Sequence, residues 1–295
     1  MVKSEKQELC DLCGTRGAFY AKGKGCEILR CERCFLHWTN PMVYYVATDR
    51  PEPRYWAEDI YLAHEKSQKA RFRRQLDTFL REARVHDPRT LRVLEVGCGL
   101  GFFMDVCEER GIAAQGCDIS SIAVAHANRE RQRARRGGIE GACEAESFDA
   151  IFAFNLIEHL PRPREFIVHC CQALAPGGIL ALETPIQESL LHRAARLGYV
   201  VSRGRLGFLG LAPGGHLYKF SRRTFQLICG EFGLMPVYAT NISSPFAEIS
   251  SKSSMFSPTH GLVFRIALPL LWSAARLTGQ GNRLFILLRK PPTER

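Results

Sequence analysis

From Leu91 onward the chain alternates short apolar runs with stretches whose apolar residues recur at helical spacing. LRVLEV reads as a strand. FFMDVCEERG, after a cluster of glycines, reads as a helix, and IAAQGCD as a second strand that ends in an acid. SSIAVAHANRERQRARR predicts a helix over 120–136, with Ser120 or Ser121 as its N-cap. FDAIFAFN predicts a strand, PREFIVHCCQAL a helix closed by Pro176-Gly177-Gly178, and GILALETP a further strand. Strands and helices in alternation imply a parallel sheet covered on both faces, so the expected fold is α/β and doubly wound. Beyond Pro185 the regularity lapses until Ser221, where SRRTFQLICGEF opens a helix. LMPVYAT and RLFILLRK read as closing strands.

Upstream, Leu62, Phe72, Leu76, Phe79 and Leu80 recur among Lys and Arg and predict a helix over 57–84, which Asp87-Pro88 ends. The aromatic, proline-punctuated segment before it reads as a connector. The first forty residues have a different character. They hold five of the twelve cysteines, four of them as C-x2-C, a 17-residue gap and C-x2-C: Cys10, Cys13, Cys31 and Cys34. Two such turns, each aiming two sulfurs at one point, complete a tetrahedral site and mark a zinc ribbon. Four thiolates leave no open position, so the expected Zn2+ is structural and supplies folding free energy that a small core lacks.

Composition narrows the picture only modestly. With 46% hydrophobic and 24% charged residues the chain is an ordinary globular protein. The N-terminus MVKSEKQELC has no apolar signal-peptide run, so the cysteines are expected as reduced thiols in the cytoplasm. The greasiest stretch, 262–275, contains Arg265 and Pro269 and is too short to span a bilayer. A net charge of +10 admits nucleic acid, an anionic membrane surface or an acidic substrate, and selects none.

The chemistry begins at Gly97-Cys98-Gly99-Leu100-Gly101, where a strand gives way to a helix. Ligands of open parallel sheets bind outside such strand ends, and glycines let the backbone come close. The spacing is G-x-G-x-G, with Phe102-Phe103 where a dinucleotide fingerprint has its third glycine. Glu95 lies two residues before the first glycine, and Asp118 ends the next strand, where a carboxylate can accept both ribose hydroxyls. A carboxylate beside a ligand ammonium suits S-adenosylmethionine and suits a pyrophosphate poorly.

The run VLEVGCGLG, GCDIS, FDAIFAFNLIEHLPRP and LAPGGILALETP, in order over about 91–185, resembles the class I methyltransferases. With the preceding cysteine pairs it resembles zinc-ribbon methyltransferases of sugars, surface polysaccharides and natural products. Ubiquinone-type O-methyltransferases share the EHL and LAPGG phrases. The resemblance implies a Rossmann-like sheet and three units: a zinc ribbon at 1–40, a connector and lead-in helix at 41–88, and a methyltransferase domain at 89–295 with an acceptor-side insert at 186–220. It implies that Gly97, Gly99 and Gly101, with Cys98 between them, line the methionine part of S-adenosylmethionine. Glu95 would hold the amino group, Asp118 the ribose, Ile119 the adenine face, and Asn155 would lie near the point of transfer. The segment before Asp149 is shorter than the family's, leaving Glu140, Cys143 and Glu144 as alternatives for the adenine amine.

Methyl transfer needs alignment of acceptor, methyl and sulfur, and a base only where the acceptor loses a proton. His216, in GGHLYKFS, is the candidate base, with Tyr218 and His159 as competitors. Exocyclic-amine methylation is disfavoured because Asn155-Leu156-Ile157-Glu158 lacks the Pro-Pro-aromatic phrase. Cytosine C5 methylation is disfavoured because Cys170-Cys171 lies mid-helix. The expected acceptor is a small molecule: a sugar, glycolipid, quinone-like compound or natural product, methylated at O or C. The insert mixes leucines and aromatics with Arg193, Arg196, Arg203 and Arg205, which suits peripheral membrane contact or a lid. The rival expectation is an RNA-binding protein or RNA methyltransferase that uses the ribbon and the basic helices.

Overall fold

The computed structural model describes residues 2–23, 25–45, 62–141, 145–204, 215–246 and 258–292. Its N-terminal part contains β1 (Val2–Glu5), β2 (Gly17–Lys22), β3 (Glu27–Cys31), β4 (His37–Asn40) and β5 (Met42–Tyr45). The lead-in helix α1 runs Glu65–Glu82, and the described part of the expected 57–84 helix agrees with it. Then follow β6 (Arg92–Val96), α2 (Phe102–Glu108), β7 (Ala113–Asp118), α3 (Ser121–Ala127), β8 (Ala134–Arg136), β9 (Phe148–Phe154), α4 (Pro163–Ala173) and β10 (Leu174–Pro185). The chain continues through α5 (Leu190–Val201), β11 (Tyr218–Lys219), α6 (Arg222–Phe232), β12 (Met235–Ile242), α7 (Pro258–Leu277) and β13 (Arg283–Arg289).

Seven strands form one sheet in the order β12-β13-β10-β9-β6-β7-β8. The strands β6 to β10 are parallel, and β13 runs antiparallel between β10 and β12. The direction of strand progression reverses between β6 and β9, so a crevice opens at their carboxyl ends. One sheet face packs on α1 and α2 through aromatics: Phe103 meets Phe152 at 4.5 Å, Phe72 meets Phe154 at 4.8 Å, and Phe79 meets Phe152 at 4.9 Å between ring centroids. The other face buries Phe166, Ile167 and Cys170 of α4.

Two expectations need correction. The helix over 120–136 stops at Ala127, and Ala134–Arg136 instead forms the parallel edge strand β8. Beyond Ala127 the residues NRERQR offer no apolar face to bury. Asn128 turns the chain: its Oδ1 accepts from the amides of Arg133 and Ala134 (2.9 and 2.8 Å), and its Nδ2 donates to Ala134 O. The insert is also more ordered than its sequence suggests. It contributes α5, opened by the Ser189 cap, and the short strand β11.

The ribbon is not a free-standing unit. Strands β2, β3 and β4 form an antiparallel sheet, and β11 of the insert joins it as a fourth strand beside β4. The small pair β1–β5 carries this N-terminal structure past residue 40, into what reads from sequence as the connector. Leu12, Leu36 and Trp38 share one core with Ile186, Tyr218, Phe220 and Phe225. The second cysteine turn is pinned to the first turn of α6, where the hydroxyls of Ser221 and Thr224 donate to Cys34 O at 3.2 and 2.9 Å.

Candidate active site

After the exposed Arg92 that opens it, strand β6 is apolar apart from Glu95, which the sheet buries to 3% exposure. Glu95 Oε2 has no hydrogen-bond partner. Burial, reinforced by the nearby charge of Asp118, holds its carboxyl well above the usual range. A buried carboxylate oxygen without a partner is costly unless a cation or donor meets it. After β6 the backbone turns through Gly97, Gly99 and Gly101 at φ 73°, 49° and 86°, conformations that favour glycine. Asp118 fixes this turn: its Oδ2 accepts from Gly99 N and its Oδ1 from Ser120 N, both at 2.9 Å. A Cβ on Gly97 would stand 3.0 Å from Leu156, so the loop after β9 closes against the glycine turn. Cys98 faces the other way. Its buried side chain packs against Gly116 of β7, so only its backbone belongs to the turn. Ile119, next to Asp118, is 45% exposed, an apolar surface at the mouth of the crevice.

Asn155 follows β9 at φ 52°, a left-handed conformation that Asn tolerates better than most residues. Its backbone amide donates to Glu183 O at 2.8 Å, and its Nδ2 donates to Glu183 Oε1 at 3.2 Å. Glu183 is fully buried in β10 and also receives Arg71 Nη1 of α1 at 2.5 Å, Arg283 Nη1 of β13 at 2.9 Å and Gln75 Nε2. One buried carboxylate thus ties four elements together behind Asn155. Sequence reasoning missed it. The available signal was an acid inside the apolar run ILALETP.

The three catalytic candidates part company. Glu158, His159 and His216 each bring a donor atom within 4.8 Å of the others, close enough to share a proton or a cation. The two imidazoles meet edge to face at 4.8 Å between centroids. His159 Nδ1 lies 3.1 Å from Gly215 O, which makes it the N–H donor there. Fully buried Glu158 accepts from Thr184 Oγ1 at 3.0 Å, has its Oε1 unpartnered, and is pushed by burial to about 7. Leu217 N donates to Glu158 O at 2.8 Å, which brings the two segments together. Tyr218 lies elsewhere. It is fully buried at the seam with the ribbon, its hydroxyl donates to Pro161 O at 2.9 Å and accepts from Gln7, and burial raises its pKa further. Full burial and these two contacts leave its hydroxyl no open face toward an acceptor. Of the adenine-amine alternatives, Glu140 is exposed in a short turn, and Cys143 and Glu144 lie outside the described residues.

In the ribbon, Cys10, Cys13, Cys31 and Cys34 bring their sulfurs within 4.8 Å of one another. The Cys10–Cys34 and Cys13–Cys31 sulfurs stand 3.6 and 3.5 Å apart.

Residues 64–239, well over half of the chain, match the family model of a methyltransferase domain. A ubiquinone biosynthesis O-methyltransferase of Idiomarina loihiensis is 30% identical over 183 residues, which cover 58% of this chain and 68% of that protein. Four further proteins of that name match at 27 to 32% identity over 45 to 55% of their length. Among solved structures, the complex of the Haloferax volcanii Trm112 methyltransferase activator with its methyltransferase aligns with a TM-score of 0.55 at 16% identity, over 83% of this chain and 100% of that one. The geranyl diphosphate C-methyltransferase of Streptomyces coelicolor aligns with a TM-score of 0.51 at 14% identity, over 83% and 89%. At these identities the structural likenesses speak for the fold alone. The family match and the first relative agree with the sheet order, the glycine turn and the two carboxylates: the chain belongs to the class I S-adenosylmethionine-dependent methyltransferases.

Proposed function

We propose that this protein methylates a hydroxyl or an acidic carbon of a small-molecule acceptor — a sugar, glycolipid, quinone-like compound or natural product — with His216 as the proton acceptor. The observation that carries this reading is the cluster of His216, His159 and Glu158 beside the carboxyl ends of β9 and β10, the side on which the cofactor crevice opens. Similarity to ubiquinone biosynthesis O-methyltransferases supports a small acceptor.

The residues fit the cofactor. Glu95 offers a buried, unpartnered carboxylate oxygen to an ammonium group, and the glycine turn, at three positive φ, presents backbone without side chains at the end of β6. Asp118, at the end of β7, offers carboxylate lone pairs to a ribose, and Ile119 an apolar face to a base. Bound S-adenosylmethionine would supply an electrophilic methyl group for transfer to the acceptor. Asn155, held from behind by Glu183, fixes the rim of the crevice between cofactor and acceptor. His216 takes the acceptor proton, and Glu158 and His159 hold its imidazole in place.

In the ribbon the four cysteines fit one Zn2+. Thiolates about 2.3 Å from a tetrahedral zinc stand about 3.8 Å apart, close to the separations observed. The metal would stabilise the turn that β4 leaves and, through β4, the strand β11 that follows His216. We place the protein in the cytoplasm with peripheral access to a membrane. No helix among the described residues is long and apolar enough to cross one. The insert helix α5 exposes Leu197, Val200 and Val201 beside Arg193, a surface suited to an anionic interface.

The test is transfer of label from methyl-tritiated S-adenosylmethionine to panels of sugars, lipid-linked sugars and quinols, with RNA as a parallel substrate. Small-molecule product is expected, and His216→Ala should slow transfer by about 10²- to 10⁴-fold with cofactor affinity retained, the range of a lost general base. Unchanged turnover in His216→Ala removes its role. Label only in RNA removes the small-molecule reading.

A further inference from the structure

A second polar cluster lies on the ribbon sheet, in the strands that flank the second cysteine turn. Directly paired residues of antiparallel strands share a sheet face. Arg30 of β3 pairs with His37 of β4, and His37 pairs with Lys219 of β11, so the three stand in one row. Tyr20 of β2 lays its ring on His37 at 4.1 Å between centroids. The insert helix α5 covers the row: His192 approaches the His37 ring at 6.0 Å, and the Arg196 guanidinium sits 4.3 Å over Tyr20.

The row is chemically unfinished. His37 is 1% exposed, and neither of its ring nitrogens has a hydrogen-bond partner. Arg30 Nε is likewise buried without one. Burial, and after it the positive charges of Arg30, Lys219 and Arg196, push the His37 imidazole down to about 3. Burial also draws Lys219 down to about 8, with no carboxylate offsetting it. Leaving this neutral imidazole buried without partners costs free energy by desolvation, and gathering three cations over it costs like-charge repulsion among them. Arg30 and Arg196 stack on Phe35 and Tyr20, which occupies their faces and leaves N–H edges for acceptors. Arg30, Lys219 and Arg196 are half-buried, so they form a rim over the His37 floor.

We infer that this row binds a phosphoryl or diphosphate group of the acceptor, with Arg30, Lys219 and Arg196 as the charged rim and His37 as the floor. A multiply charged group with several oxygens suits one ammonium, two guanidinium edges and an imidazole better than a single carboxylate does. The placement suits an acceptor. Lys219 follows His216 by three residues, a span of at most about 10 Å at the rise of a strand. The phosphoryl end would then lie on the ribbon and the reacting end at His216. This inference rests on the acceptor-side reading above.

The experiment is calorimetric titration of inorganic pyrophosphate into the zinc-replete full chain, into Lys219→Gln and into Arg196→Gln, with S-adenosylmethionine titrated into the same preparations. Saturable pyrophosphate binding is expected in the unaltered protein, weakened at least tenfold in each variant, with S-adenosylmethionine affinity unchanged. That retained affinity shows the variants to be folded. Should Lys219→Gln lose it, Arg196→Gln on the helix surface decides alone. Absence of pyrophosphate binding, or equal affinity in the variants, overturns the inference and leaves the methyltransferase reading standing. Pyrophosphate binding without S-adenosylmethionine binding overturns the methyltransferase reading instead. Competition by a nucleoside diphosphate and by an isoprenyl diphosphate then separates a nucleotide-linked from a lipid-linked source; displacement by neither overturns the assignment to an organic phosphate.

Discussion

Glu158 shows how a single buried carboxyl can couple chemistry to stability. Its native value of about 7 lies above its ordinary 4.5, because burial disfavours the charge. A raised carboxyl contributes stability that is full below its unfolded value and is lost as pH climbs through the native one. Between pH 5 and 8 that loss amounts to about 3 kcal/mol, at about 1.4 kcal/mol per unit. Thermal unfolding should therefore show Glu158→Gln gaining on the unaltered protein as pH rises from 5 to 8. A constant difference across that range would mean Glu158 does not titrate as its burial implies. At this scale the glycine turn, Glu95 and Asp118 were legible in the sequence because each announces itself locally: a glycine spacing, an acid in a greasy strand, an acid at a strand end. Cys98 and Tyr218 were not, since the direction of a side chain depends on what packs behind it. Gly116 makes room for Cys98, and Pro161 and Gln7 hold Tyr218.

At the scale of elements, the strands β6, β7, β9 and β10 followed from apolar runs, and the end of α1 and the start of α6 from Pro and Ser; α4, expected to close at Pro176-Gly177-Gly178, stops at Ala173 instead, and that Pro-Gly-Gly lies within β10. The short strands β8 and β11 did not, because two or three residues carry no period and gain their conformation from a neighbouring strand edge. The Glu183 network was hidden for a related reason. Its cationic partners Arg71 and Arg283 lie 112 and 100 residues away. The network joins α1, β9, β10 and β13, and it determines where Asn155 points. Glu183→Ala would leave two guanidinium groups facing an empty, dry position. Urea unfolding should show a loss of about 3–5 kcal/mol, the cost of breaking a buried pair from one side. A loss below about 1 kcal/mol, the value of a surface pair, would mean that water reaches the arginines.

For the whole molecule, the notable feature is that the ribbon and the methyltransferase domain share one core and one sheet edge. The cysteine spacing made the ribbon legible, but nothing in it indicated that β11 would complete the ribbon sheet directly after His216. With Zn2+ in the four-cysteine site, as proposed above, metal removal should be felt at the acceptor. After chelation, turnover should fall at least tenfold, while S-adenosylmethionine affinity, set by β6, β7 and β9, changes little. Restored Zn2+ should restore turnover. Parallel loss of both properties would indicate global unfolding and contradict this division of labour. The central claim is that the crevice at the carboxyl ends of β6, β7 and β9 holds S-adenosylmethionine, with Glu95 on its ammonium group. The measurement that tests it most directly is calorimetric titration of S-adenosylmethionine into the zinc-replete protein and into Glu95→Gln. The account predicts one site per chain, weakened at least tenfold in the variant, as a lost charged hydrogen bond of about 1.5–3 kcal/mol requires. Absence of binding to the unaltered protein, or equal affinity in Glu95→Gln, would contradict it.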